Sequence, residues 1–197
     1  MGTTSLVALA ILIAIGVFAT IVYNKLVTLR NSIGNAFAQI DVQLKRRYDL
    51  IPNLVETARK YLQHERETLE AVIAARNVAQ AAAGQARQNP AAAGAMASLG
   101  AAEGVLGGVL GRLMVVAEDY PELKADQTMR ELSEELTSTE NRVGFARQSY
   151  NDTVLDYNNA AGQFPANLVA RLLGFEPAAM LQSTQSVAER QAPRVQF

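Results

Sequence analysis

Apolar residues follow two different rules along this chain. From Leu6 to Tyr23, LVALAILIAIGVFATIVY, they run almost unbroken, with Thr20 the polar exception. From Asn31 onward they space out, and Ile33, Phe37, Ile40, Leu44, Tyr48, Ile51 and Val55 recur at steps of three and four. The first pattern has no polar face to turn to water, and at 1.5 Å per residue it comes close to the roughly 30 Å hydrocarbon core of a bilayer. It predicts a membrane span bounded by Leu6 and Tyr23, with the tyrosine ring at interfacial depth. The second pattern gathers one stripe along a helix, leaving Asn35, Gln39, Asp41, Gln43, Lys45 and Arg46 mainly on the wet faces. Such a helix must bury one side against others. No breaker separates Tyr23 from Asn31, and Leu26 and Leu29 extend the stripe, so span and soluble helix are expected to form one rod.

A cleaved signal peptide fits less well, because MGTTS carries no Lys or Arg and the apolar run is long for such a segment. The positive charge comes afterwards, at Lys25 and Arg30. The positive-inside rule then puts the N-terminus outside and the rest of the chain in the cytoplasm.

Pro52 lacks an N–H and removes the hydrogen bond to the Tyr48 carbonyl, which predicts a kinked but continuous helix. Val55, Ala58, Leu62, Leu69 and Ile73 carry the pattern on, taking this first helix to about Ala79. Ala81 to Gly111 then changes character, and about 80–100 reads as an Ala/Gly-rich connection broken by Pro90. A second helix is expected from about Ala101 to Asp119. Its Gly104, Gly107, Gly108 and Gly111 could set a smooth face against a neighbouring helix. From Glu122 to Gln163 a heptad-like seam (Met129, Leu132, Leu136, Thr139, Val143, Ala146, Tyr150, Thr153, Tyr157, Ala160 and Phe164) predicts a long return helix. Phe164-Pro165 stops it, and PANLVARLLG reads as a short helix closed by Gly174.

The expected fold is all-α. A single N-terminal transmembrane helix continues into an antiparallel bundle of three long helices plus short C-terminal ones. The parts are an anchor, 1–24, a bundle, 25–182, and a polar tail, 183–197, loosely held unless Val195 and Phe197 dock on a partner.

Composition narrows the chemistry. There is no cysteine and a single histidine, His64, which removes thiolate and multi-histidine metal sites and most histidine-based catalysis. His64 lies beside Glu65 and Glu67 without a second strong ligand at helical spacing, so it reads as a solvated surface residue. A net charge of −1 argues against a nucleic-acid binder driven by bulk charge. The glycine spacings match neither GxGxxG nor a P-loop. No cofactor or metal is expected. An enzyme would have to rely on carboxylates such as Asp41, Asp49, Glu131 and Glu135.

Two clusters remain as a candidate interaction surface. Lys45, Arg46 and Arg47 lie about 30 Å along a straight helix from the membrane, beyond the Debye length, which favours protein contacts or ion pairs over lipid head groups. The acidic flank Glu131, Glu134, Glu135 and Glu140 could pair with Arg46, Arg47 or Arg59. Tyr150-Asn151 and Tyr157-Asn158 repeat at seven residues, placing both tyrosines on one face. Either they form a polar recognition ladder, or the rings pack while hydroxyl and amide groups satisfy neighbouring backbone or carboxylates; the second is favoured, because buried Tyr needs a partner.

Several separated segments resemble the LemA family of bacterial membrane-anchored proteins: YNKLVTLRNSIGNAFAQIDVQLKRRYDLIPNLVETARKY from Tyr23, AEDYPELKA from Ala117, ELTSTENRVGFARQSYNDTVLDYN from Glu135 and FPANLVARLLGF from Phe164. The resemblance implies one N-terminal span in the inner membrane with a small N-terminus outside, a cytoplasmic helical bundle and no assigned enzymatic activity. A relative acting in magnetosome membrane formation suggests membrane organisation. A rod continuous with a span and the lack of a catalytic constellation together point to a membrane-anchored scaffold. Its expected partners are the lipid bilayer, further copies in a homo-oligomer, and unidentified membrane or cytoplasmic proteins. The alternative is an adaptor for membrane protein quality control or signalling, with a carboxylate-dependent enzyme less favoured.

Overall fold

The computed structural model describes residues 2–182. One helix, α1 (Thr3–Arg59), carries both apolar patterns without a break. Up to Ile21 its apolar side chains are almost all exposed, and from Val22 onward the stripe Leu26, Ile33, Phe37, Ile40, Leu44, Tyr48, Ile51 and Val55 is buried. Helix α1 continues through Pro52 without interruption. The carbonyl that Pro52 leaves without a donor is served from another helix: Arg76 donates from Nε to the Tyr48 oxygen at 3.0 Å. A buried main-chain acceptor is thereby satisfied.

The first helix does not reach Ala79. It ends at Arg59, turns through residues 60–65 and returns as α2 (Arg66–Gln88). No Gly or Pro marks this turn. Leu62, Leu69 and Val72 join the same core as Ile51 and Leu54, and a straight helix would have carried them away from it into water, so burial decides against continuation. His64, in this turn, is exposed. The return is antiparallel, as Arg76 meets Tyr48 and Arg87 meets Asp41.

The expected Ala/Gly-rich connection at 80–100 is mostly helix as well. Ala79, Ala82, Ala83 and Ala86 are buried in α2, and after a short turn at Asn89 to Ala92 the chain becomes α3 (Ala93–Glu118). Alanine is the best helix former, and Pro90 alone interrupts it. Helix α3 buries Met96, Leu99, Ala102, Leu106, Leu110 and Leu113. By length and composition it too could cross a membrane, but its leucine stripe lies in the bundle core.

The return stretch divides at Asp126 into α4 (Pro121–Ala125) and α5 (Gln127–Gly162). Asp126 caps α5 by accepting from the Met129 N–H at 2.9 Å, and Tyr61 donates to its other oxygen at 2.9 Å. These bonds hold the Asp126 carboxyl below its usual range, the Met129 backbone bond most of all. Helix α5 runs antiparallel to α1 along its length, with Phe37 edge-on to Tyr150 at 6.1 Å between ring centroids. Among the described residues there are therefore four long helices, α1, α2, α3 and α5, rather than three, because the first expected helix folds back on itself.

After α5 comes α6 (Ala166–Leu172). Gly174 follows with φ of 72°, and the Phe175 N–H bonds the Ala170 carbonyl at 2.9 Å, the pattern of a Schellman cap. Residues 175–182 then run without regular secondary structure as a strap. The tail 183–197, with Val195 and Phe197, lies outside the described residues.

Candidate functional site

Helix α5 holds the strap by its backbone. Asn158 donates from Nδ2 to the Ala178 carbonyl and accepts from the Ala178 N–H, both at 2.9 Å. One heptad earlier Asn151 does the same to Leu181, at 3.1 and 2.9 Å. Each carboxamide thus imitates one rung of a β-ladder, offering a donor and an acceptor to one residue. The tyrosines fill in between. Tyr157 donates to the Glu176 carbonyl at 2.8 Å, and the Tyr150 hydroxyl faces the carbonyls of Ala179, at 2.7 Å, and Pro90, at 2.5 Å. From the far side the Ala179 N–H donates to the Ala91 carbonyl at 3.0 Å.

The Tyr-Asn repeat is therefore a ladder, but its partner is this chain's own strap. Both rings are buried, and their hydroxyls are satisfied by backbone, the second of the two expected arrangements. Burial pushes the Tyr150 hydroxyl up to about 12 and raises that of Tyr157 as well. At neutral pH both remain donors. Nothing in the strap's own sequence announced it.

The basic cluster is split by helix geometry. Lys45 and Arg46 are exposed, and Arg46 pairs with Glu135 on α5. Arg47 points inward, only 6% exposed, and pairs with Glu103 on α3 at 3.0 Å. It is thus removed from the candidate interaction surface. The signal was present: Arg47 stands three residues after Leu44 and four before Ile51, on the buried stripe, and Glu103 stands four after Leu99 and three before Leu106 on its own. Tyr48 donates to the other Glu103 oxygen at 2.5 Å. Burial pushes the Glu103 carboxyl up against the opposing pull of Tyr48 and Arg47, while burial and the carboxylate raise the Tyr48 hydroxyl well above its usual range.

The carboxylates that an enzyme would need do not converge. Asp41 is engaged by Arg87 through two bonds, at 2.7 and 2.9 Å, Glu135 by Arg46, and Glu131 accepts from Gln127. Of the acidic flank, Glu135 alone has an ion pair to α1, and Arg59 pairs with its neighbour Glu56 instead. Among the described residues no group of three His, Cys, Asp or Glu is gathered to hold a metal ion.

Of the glycines expected to form a smooth face on α3, three look onto open space. A Cβ added at Gly107, Gly108 or Gly111 would find no atom within 4 Å. The backbones of α3 and α5 stay apart while their side chains share the core, the Ser133 hydroxyl reaching the Met114 sulfur at 4.0 Å, and a cleft of about 220 Å³ is lined by Arg47, Glu103, Gly107, Glu140, Arg147 and Leu181.

A model of the LemA family matches residues 36–197. The chain is similar to the magnetosome proteins MamQ 2 and MamQ 1 of Paramagnetospirillum magneticum, each 36% identical over 89 residues, which is 45% of this chain and 32% of theirs. It is similar also to MamQ of Magnetospirillum gryphiswaldense, 32% identical over 83 residues, 42% of this chain and 30% of that one. The match thus spans about a third of these relatives' length.

Proposed function

The chain belongs to the LemA family, and on that premise we propose that it is a membrane-anchored scaffold whose helical bundle lies in the cytoplasm, with the N-terminus across the inner membrane. One observation carries the reading: the helix that begins with the apolar run is the same helix that forms the spine of the bundle. A rigid α-helix transmits position without a hinge, so anchor and bundle move as one body. Lys25 and Arg30 support the orientation. The work proposed is to hold and arrange other molecules; no catalytic step is assigned.

The scaffold self-associates. Support comes from the outward side of α3, where open glycines alternate with the exposed Val105 and Val115, and from exposed Phe145 on α5. Such surface is usual at protein contacts. The MamQ relatives are named as magnetosome proteins, and an anchored rod that packs with its copies suits the organisation of a membrane. The chain's lack of cysteine allows a clean test. Full-length protein carrying Val105→Cys, oxidised in intact membranes, should give a disulfide-linked dimer, whereas Val78→Cys on α2 should not. Monomer alone at both positions, and in gentle detergent extracts, refutes self-association through α3.

A further inference from the structure

Four apolar side chains around α6 stand in the open: Leu172 is 85% exposed, Phe164 81%, Leu168 60% and Leu173 49%. They are close in sequence, and no core residue of the bundle covers them. The opposite side of the same short helix is well packed. Ala170 is buried with Val22 and Leu26 of α1, and Ala166, Val169 and Phe175 pack against that cluster. Phe175 also lies edge-on to Tyr23, at 5.7 Å between ring centroids.

These contacts fix the height of α6. Val22 and Tyr23 are the last residues of the apolar run that crosses the bilayer, and Leu26 is one turn further on. Helix α6 is therefore pinned where α1 leaves the lipid, beside an aromatic residue suited to that depth. Its charged residue, Arg171, is also exposed, and Lys25 and Arg30 stand on α1 at and just beyond the same level. A short element that is apolar on one side, basic at its edge and held at the membrane boundary has the makings of an interfacial anchor, which sits about 5–10 Å into the headgroup and acyl boundary. Four exposed large apolar residues would be a liability in water. At this height lipid is within reach to cover them.

We infer that α6, with Phe164, Leu168, Leu172 and Leu173, is a second membrane contact, a foot that enters the interface of the leaflet from which the bundle emerges. The span and the foot together hold the molecule at two points. Two points fix its tilt and rotation, where a lone span would leave the rod free to lean and spin. The inference is independent of self-association and of any activity.

Leu172→Cys gives a single labelling site in a chain without cysteine. Full-length protein bearing a nitrobenzoxadiazole probe there is reconstituted into phosphatidylcholine/phosphatidylglycerol vesicles, some with spin labels near the head groups and some at mid-chain. The same probe at Val78→Cys, exposed on α2, serves as the reference. The Leu172 probe should emit to the blue of the reference and be quenched most by the shallow label. Adding Phe164→Ser and Leu168→Ser, both at exposed positions, should reduce that quenching. Emission and quenching equal to the reference overturn the inference. So does a blue shift without quenching by either lipid label, which would mean that protein covers the face, and so does quenching that the serine substitutions leave unchanged.

Discussion

Removing the Asn158 carboxamide should release the strap locally and leave the bundle intact. Asn158→Ala deletes two hydrogen bonds to Ala178. A typical intramolecular bond contributes about 0.5–1.5 kcal/mol net, so the pair is worth about 1–3 kcal/mol. Against this, Leu181 stays buried and retains its two bonds to Asn151, and burying a leucine is itself worth about 1.5–3 kcal/mol. The strap should therefore loosen at Ala178 rather than detach. Native-state hydrogen exchange on detergent-solubilised full-length protein reads this directly, because local opening is reported amide by amide. Exchange at Ala178 should rise roughly 5- to 150-fold, the factor equivalent to that energy. Amides in the middle of α1, such as Ile40, should not change. Asn151→Ala with Asn158→Ala should detach the whole strap, at a cost that does not equal the sum of the singles, since both hold one segment. Asn158→Asp should be worse than Ala at neutral pH, because a carboxylate cannot donate to the Ala178 carbonyl and repels it; acidification should relieve the defect by restoring an O–H. Unchanged exchange at Ala178 in the Ala variant, or an equal rise at Ile40, would refute a locally acting clasp.

Three further substitutions test the bundle. Arg76→Met should cost about 0.5–1.5 kcal/mol in denaturant unfolding by stranding the Tyr48 carbonyl, and much less in a Pro52→Ala background, where residue 52 again has an N–H for that oxygen; equal costs in the two backgrounds would disprove the compensation. Arg47→Met leaves Glu103 buried without its cation and should cost about 3–5 kcal/mol at neutral pH. A carboxyl whose folded pKa is raised gives up stability as pH rises through that pKa, so the cost should shrink on acidification and be relieved by adding Glu103→Gln. The Asp126 carboxyl is shifted the other way, so its contribution is present above the ordinary aspartate pKa and lost as pH falls through its lowered one. The stability difference between wild type and Asp126→Ala, followed by thermal unfolding from neutral to acid pH, should narrow on that limb.

The parts of this molecule legible from its pattern are those where one period runs undisturbed. The span, the α1 stripe and the α5 seam are such cases, and the structure buries Ile33, Phe37, Ile40 and Leu44 on one side and Tyr150 and Tyr157 on the other. The turn at 60–65 was not legible, because Leu62 and Leu69 keep helical spacing whether the chain continues or reverses; only the long-range gain of joining the core separates the two. Composition misled at 80–100, where runs of alanine read as a loose connection although they favour helix and suit close packing. The partner of the Tyr-Asn repeat was hidden for another reason. A backbone offers the same N–H and C=O whatever its side chains, so the strap carries no signature of being held.

The kind of side chains that α5 presents follows from what it must hold. Helix α2 bridges α1 and α3, and α5 packs along α1, while the backbones of α3 and α5 stay further apart and meet through side chains such as Ser133 and Met114. The strap enters at that open side: it climbs from Phe175 beside Tyr23 to Leu181 beside Asn151, with Ala179 tied to the α2–α3 turn at Ala91. A helix placed there would have its main-chain bonds satisfied internally and would ask for apolar neighbours. An extended segment brings unpaired amides into a half-buried groove, and each must find a partner. Asparagine one heptad apart, alternating with tyrosine hydroxyls, supplies those partners at Glu176, Ala178, Ala179 and Leu181. The polar residues within an otherwise apolar seam are thus a requirement of closing a helical bundle with a piece of extended chain, whose Leu181 also lines the cleft of about 220 Å³.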